Sequence, residues 1–161
     1  MSPDASVRVA PLPLERYHGY YIEDLAVGMS AFFGKTVSDA DLVLFAGVSG
    51  DTNPMHINND FASGTRFGGP IVHGMLTASF ISTVIGTRLP GPGCIYLTQS
   101  LRFKAPVRVG DTVQVRATIR DINIERRRTT IDTVCSVGET VVLDGEALIM
   151  VPSRVQAVAA Q

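Results

Sequence analysis

Asp51 and His56 stand five residues apart in Gly50-Asp51-Thr52-Asn53-Pro54-Met55-His56. A carboxylate and an imidazole on one loop can hold a water between them and take a proton from it, because imidazole titrates near neutral pH. Pro54 has no N–H and disfavours helix at Asn53, so the segment reads as a shaped loop. The same residues also suit an Asx-type turn, in which Asp51 and Asn53 bond the backbone and His56 is incidental. Taken alone, the residues leave both readings open. A second block, Pro70-Ile71-Val72-His73-Gly74-Met75, follows shortly after and leads into a long apolar stretch.

The elements that must position these groups are legible in outline. Ser30 to Thr36 suits a first strand. Ser38 with Asp41 three residues on is a helix-start signature. Leu42, Phe45, Ala46 and Ser49 follow at helical spacing, with Leu42 and Phe45 on the buried face. Gly50 is placed to end that helix, so Asp51 emerges where helix hands over to loop. Asn58 to Ala62 suits one more short turn, closed by Gly64. Ile71 to Thr87 reads as a second helix. It has no Lys, Arg, Asp or Glu and carries apolar or small residues on all faces, the pattern of a buried helix. Leu89-Pro90-Gly91-Pro92-Gly93 stops it.

Everything after is strand-like. Ile95, Leu97, Leu101, Phe103 and Ala105 alternate with Tyr96, Thr98, Ser100, Arg102 and Lys104. Val113, Val115, Ala117 and Ile119 repeat the pattern after Gly110-Asp111, and Thr129 to Val137 and Val141 to Val151 complete the set. Period-two patterns between turns predict antiparallel strands with one solvated face. One buried helix and a run of such strands requires the sheet to curl around the helix. The expected class is α+β, a single domain. Residues 1–20 hold three prolines and little periodicity, and are expected to form a poorly ordered or wrapping arm. The domain is expected over 21–152 and a tail over 153–161.

Composition narrows the function classes. The chain has 161 residues, with 14 basic and 15 acidic side chains and a net charge of −1. That length can bury a sound core. No global basic field exists, so nucleic-acid binding is not expected. The basic run Arg126-Arg127-Arg128 reads either as a solvated hairpin end or as a contact for a phosphate. Cys94 and Cys135 form no CxxC pair and no disulfide framework, which fits a reducing compartment. Met1-Ser2-Pro3-Asp4 lacks the basic start and apolar core of a secretory signal. The apolar stretch Pro70 to Thr87 falls short of a typical membrane span. A soluble cytoplasmic protein with no membrane partner is expected.

The block Phe45 to His56, with Ala62 six residues later, resembles the hydratase 2 motif of the MaoC-like (R)-specific enoyl-CoA hydratases. Pro70 to Leu76 is similar to the second block of that family, at the start of its central helix, and Tyr96 to Val107 to its third. The likeness runs from about Tyr21 to Pro152. One departure is Met55, where the family usually has Leu, Ile or Val, a swap that conserves volume.

The resemblance implies a hot-dog fold, a curled antiparallel sheet around one buried central helix. It implies hydration of trans-2-enoyl-CoA to (R)-3-hydroxyacyl-CoA, and the reverse dehydration, without metal or other cofactor. A short-chain substrate such as crotonyl-CoA is expected. Asp51 and His56 would hold the catalytic water. His56 would be the main base, and Asp51 would orient the water and relay a proton to C2 on the face that the oxygen attacks. The backbone N–H of Gly74 would take the charge that develops on the thioester oxygen, since first-turn N–H groups lack helical partners and the dipole favours negative charge. Asn53 would shape the loop and orient Asp51. Ser82, eight residues past Gly74, matches a family position near the site and is a supporting residue. His73 reads as structural. A homodimer or dimer-based oligomer is implied, and it would satisfy the edge that such a sheet exposes.

Three rivals are weighed beside this reading. Asp51, His56 and His73 make a carboxylate and two imidazoles of the kind that hold a metal, although no HxH or HExxH spacing supports it. The domain could instead be a non-catalytic acyl-thioester binding module. Within the fold, it could dehydrate 3-hydroxyacyl-carrier-protein or hydrolyse a thioester. Thioesterases of this fold usually carry a carboxylate on the central helix, and Ile71 to Thr87 has none.

Overall fold

A computed structural model of the chain describes residues 14–157. Among them, five strands form one antiparallel sheet: β1 (Ser30–Thr36), β2 (Ile95–Phe103), β3 (Thr112–Asn123), β4 (Arg128–Val137) and β5 (Thr140–Met150), in the spatial order β1-β3-β4-β5-β2. The helices are α1 (Asp39–Ser49), α2 (Pro54–Ile57), α3 (Asn59–Ser63), α4 (Gly74–Thr87) and α5 (Arg154–Ala157). The alternation read from the sequence is the core. Val113, Val115, Ala117 and Ile119 of β3, Ile131 and Cys135 of β4, and Leu143, Ala147 and Ile149 of β5 are all buried. They cover Phe80, Ile81, Val84 and Ile85 of α4. Burying each such side chain stabilises the fold by about 1.5–3 kcal/mol. The sheet curls around a single helix, which is the hot-dog arrangement.

Three readings are corrected. The second helix begins at Gly74 rather than Ile71, because His73 takes a non-helical backbone as its N-cap (φ −54°, ψ 128°). That makes Gly74 the first helical residue. Second, α4 is not buried all round: Met75, Ser79, Ser82 and Gly86 form an open face, and Met75 is 57% exposed. Third, the loop between Asp51 and His56 contains one helical turn, α2, started by Pro54 at its first position, where the missing N–H costs nothing.

The alternation expected in β2 is also broken. A register shift between Tyr96 and Thr98 puts Leu97 out of step. Residues three apart then share a face, and the Tyr96 hydroxyl donates to Gln99 Oε1 at 2.9 Å. Burial pushes the Tyr96 phenol well above its ordinary value and the Cys135 thiol up to about 12. Both cysteines are free thiols.

Residues 1–13 and 158–161 lie outside the described part, and with them most of the expected arm and tail. The described end of the arm is pinned. Gly19 N–H donates to Pro92 O at 2.8 Å, Tyr20 N–H to Pro90 O at 2.7 Å and Ile22 N–H to Pro152 O at 2.8 Å. No helix among the described residues is long and apolar enough to cross a membrane.

The start of α1 carries a pH prediction. The Asp41 carboxylate accepts from both Ser38 N–H and Ser38 Oγ–H at 2.8 Å and pairs with Lys35 at 3.0 Å. The Ser38 backbone bond, followed by Lys35 and the Ser38 hydroxyl, holds its carboxyl below the usual value. A lowered folded pKa gives stability that is present above the unfolded value and is lost as pH falls through the folded one. Asp41→Asn is therefore expected to cost about 1 kcal/mol, or roughly 2–4 °C in Tm, near neutral pH. The gap should close on acidification. Thermal melts of both proteins from pH 7 to pH 3 check this, and a gap independent of pH contradicts it.

Candidate active site

Gly50 ends α1 in the left-handed conformation at φ 77°, which turns the chain out of the helix and presents Asp51. Asp51 Oδ1 accepts from Asn53 N–H at 3.2 Å, and Asn53 Oδ1 accepts from Met55 N–H at 3.1 Å. The Asx turn foreseen as an alternative is present, and it serves to aim the carboxylate. Asn53 thus shapes the loop with its side chain and holds Asp51 with its backbone.

His56 sits on α2, half-buried. Its Nδ1 lies 2.7 Å from the carbonyl oxygen of Ile71. A carbonyl can only accept, so Nδ1 carries the proton and Nε2 keeps its lone pair. The ring is left with one basic nitrogen, fixed in orientation by the other. One donor atom from each of Asp51, His56 and His73 lies within 4.8 Å of the others. Two groups at such a separation can share one water through two ordinary hydrogen bonds.

His73 is 1% exposed. Its Nε2 lies 3.0 Å from the backbone oxygen of Asp51. The His56 and His73 rings face each other, with centroids 3.9 Å apart and planes inclined by 31°. Each ring therefore spends one nitrogen on a carbonyl. The three side chains still offer one atom apiece close enough together to hold a metal ion, so chelator sensitivity is the observation that separates the two readings.

A cavity of about 290 Å3 opens beside His56, and Asp51, which is exposed, is not among the residues that line it. His56, Gly74, Thr77, Phe103 and Val142 line it, and Phe67 and Arg66 come from the loop 64–69. Gly74 is the first residue of α4, and among the described residues nothing accepts its N–H. It also has a packing reason to be glycine. A Cβ there would come 2.8 Å from Phe103 Cε1. The loop is fixed by Arg108, whose guanidinium donates to Phe67 O and, at 3.4 Å, to Pro70 O.

Not every expected residue is brought to this point. Ser82 is exposed, lies on the open face of α4 and does not line the cavity. Arg126, Arg127 and Arg128 sit at the β3–β4 turn. Arg128 pairs across the sheet with Met150, whereas the cavity lies at the Leu143 end of β5. Seven steps along the strand separate the two, roughly 23 Å at about 3.3 Å per residue. Within one chain the basic run lies at a hairpin end away from the cavity, with Arg126 and Arg128 exposed. Sequence reasoning did not find Thr77, Phe103 or Val142. These are ordinary core-type residues, and only the fold places them around the cavity.

The MaoC like domain model matches residues 27–142. An (R)-specific enoyl-CoA hydratase of Rhodospirillum rubrum is 54% identical over 135 residues, covering 84% of this chain and 94% of that protein. A 3-hydroxybutyryl-CoA dehydratase of Methylorubrum extorquens is 50% identical over 137 residues, covering 85% and 87%. Among solved structures, the (R)-hydratase of Aeromonas caviae superposes with a TM-score of 0.78 at 40% identity, covering 81% of this chain and 99% of that one. The unliganded R-hydratase PhaJ1 of Pseudomonas aeruginosa gives 0.80 at 40% identity, covering 85% and 88%. Matched over most of its domain in both sequence and fold, the chain belongs to the MaoC-like family.

Proposed function

We propose that this chain is a hydro-lyase that hydrates trans-2-enoyl-CoA to (R)-3-hydroxyacyl-CoA and catalyses the reverse dehydration, with a short-chain substrate such as crotonyl-CoA. The observation that carries the reading is the pairing of Asp51 and His56, with a ring nitrogen and a carboxylate oxygen within 4.8 Å of each other and Nδ1 held by Ile71 O, which in the neutral ring leaves Nε2 as the basic atom. The (R)-specific hydratase relatives support the reaction class.

The chemistry follows from the positions. A water bound by Asp51 and His56 faces C3 of the double bond. As its oxygen bonds to C3, one proton leaves it for His56 Nε2. The C2–C3 π electrons move toward the thioester, and charge builds on the thioester oxygen. Gly74 N–H, at the positive end of α4, donates a hydrogen bond to that oxygen and stabilises the charge. A proton then reaches C2 from the Asp51/His56 pair, and the π system closes back to the thioester. One water is consumed and both catalytic groups return to their starting protonation. No metal enters this sequence.

The handle of the substrate would meet cations. Arg66 lines the cavity, is exposed and stacks over Phe67 at 4.7 Å. Lys104 lines it too and pairs with Asp144. An exposed guanidinium over a ring suits a phosphate of coenzyme A.

The test is loss of enoyl-thioester absorbance with crotonyl-CoA, with and without chelator, followed by chiral analysis. The expected result is chelator-insensitive turnover to the (R)-alcohol. The same reaction with crotonyl-pantetheine, which lacks the phosphates, should show a raised KM and a similar kcat. No turnover with any enoyl thioester would return the domain to the binding-module reading, and loss of activity with chelator would revive the metal reading.

The chain is also proposed to act as a cytoplasmic homodimer or dimer-based oligomer. The support is an uncovered sheet edge, β2, next to the open face of α4. Ile95 is 56% exposed and Met75 57%. An exposed strand edge with apolar side chains is normally paired. Light scattering should give a mass of at least twice 17.2 kDa, and a monomer at working concentration would refute it.

A further inference from the structure

His73 is buried to 1% exposure, yet it is polar and only half satisfied. Its Nε2 faces the Asp51 carbonyl at 3.0 Å, so Nε2 bears the proton. Its Nδ1 is then a bare acceptor, and among the described residues it has no hydrogen-bond partner. Phe45 closes over one side of the ring at 5.1 Å and His56 lies against it at 3.9 Å. A buried nitrogen without a partner costs stability that an apolar side chain would not. Packing alone therefore does not account for a histidine here.

What the ring does is tie two segments. It is the N-cap of α4, and its own peptide leads directly into Gly74 N–H. Its far nitrogen holds the backbone of Asp51. Two other bonds lace the same segments, Ile71 N–H to Met55 O at 3.3 Å and His56 Nδ1–H to Ile71 O at 2.7 Å. Neither of them reaches Asp51. We infer that His73 is a positioning residue: its Nε2–H clamps the Asp51 backbone to the peptide that carries Gly74 N–H, and so sets the spacing between the attacking water and the oxyanion donor. The inference rests on the proposed roles of Asp51, His56 and Gly74.

The need for such a clamp is chemical. In a planar enoyl thioester the distance from C3 to the thioester oxygen is fixed by the substrate. The water and the N–H must match that span, and a misplacement of about 1 Å costs roughly 10²-fold in rate. The two groups come from different loops, so something rigid has to join them.

Two substitutions separate the clamp from simple packing. In His73→Gln the amide nitrogen is as many bonds from the backbone as Nε2 and can still donate to Asp51 O. In His73→Asn it is one bond shorter and cannot. The expected result is a kcat within about tenfold of wild type for Gln and a fall of roughly 10²-fold for Asn. KM for crotonyl-CoA should be little changed in both. Equal losses in the two variants, or a loss seen in KM rather than kcat, would overturn the clamp. In the wild-type protein, long-range 1H–15N NMR should show His73 protonated on Nε2, and an Nδ1–H tautomer would overturn it even if neither variant folds. His56→Ala run in parallel keeps the two claims apart. If His56→Ala is inactive and His73→Asn is fully active, the clamp fails alone. If His56→Ala is itself active, the underlying site reading fails.

Discussion

His56→Ala lowers kcat for crotonyl-CoA by roughly 10²–10⁴ and leaves KM within a few-fold of wild type. In the proposed mechanism the Nε2 lone pair takes the proton, since Nδ1 is engaged by Ile71 O. His73 offers a bare Nδ1, but that atom is buried. The substrate still has its cavity, its N–H donor and its exposed cations, so binding persists. The fold persists as well. The substitution removes one bond to Ile71 O at the edge of a cavity that water can enter. Such a bond is worth about 1 kcal/mol net, so the Tm should fall by no more than ~4 °C. A kcat equal to wild type would place the base elsewhere.

Asp51→Asn should be as damaging by another route, with a fall of 10²-fold or more. The amide oxygen can keep the bond from Asn53 N–H that forms the turn. His73 still holds the backbone carbonyl, which the substitution does not touch. What changes is the second carboxylate oxygen, which becomes a donor. A water held by a donor cannot give up its proton in that direction, and the relay to C2 is broken. The melting temperature should therefore stay near that of wild type while turnover is lost. An active Asp51→Asn would mean that the Asx turn is the whole role of Asp51. If both groups act on one water, as proposed, the double variant should be little worse than the worse single one.

The parts of this molecule that were legible in the sequence are those set by local rules. Val113, Val115, Ala117 and Ile119 announce an inner face because strand side chains alternate strictly, and all four are buried. Ser38, Asp41 and Gly50 bound α1 because capping needs those side chains and that left-handed turn. The turn chemistry of Asp51 and Asn53 is likewise local.

What was not legible depends on the chain meeting itself elsewhere. The bulge at Leu97 is marked in the run only by Gln99, a polar residue where the alternation expects an apolar one, and it moves Tyr96 and Gln99 to one face. The start of α4 was read three residues early, since Ile71 and Val72 are as apolar as the helix that follows. They are extended instead, and Val72 N–H bonds Val107 O at 2.8 Å. The open face of α4 looked buried because small and apolar residues carry no mark of what covers them. His73 reads as structural, and its burial and its bond to the Asp51 carbonyl fit that, but the partner it holds could not be read from the chain.

The central claim is that one water, held between Asp51 and His56, supplies the oxygen to C3 while the same pair delivers the proton to C2. The direct measurement is hydration of crotonyl-CoA in D2O, with the configuration at both carbons of the product read by NMR. The account predicts an (R)-alcohol at C3 and a single deuterium at C2 on the face that received the oxygen. Deuterium on the opposite face, or spread over both, would contradict it.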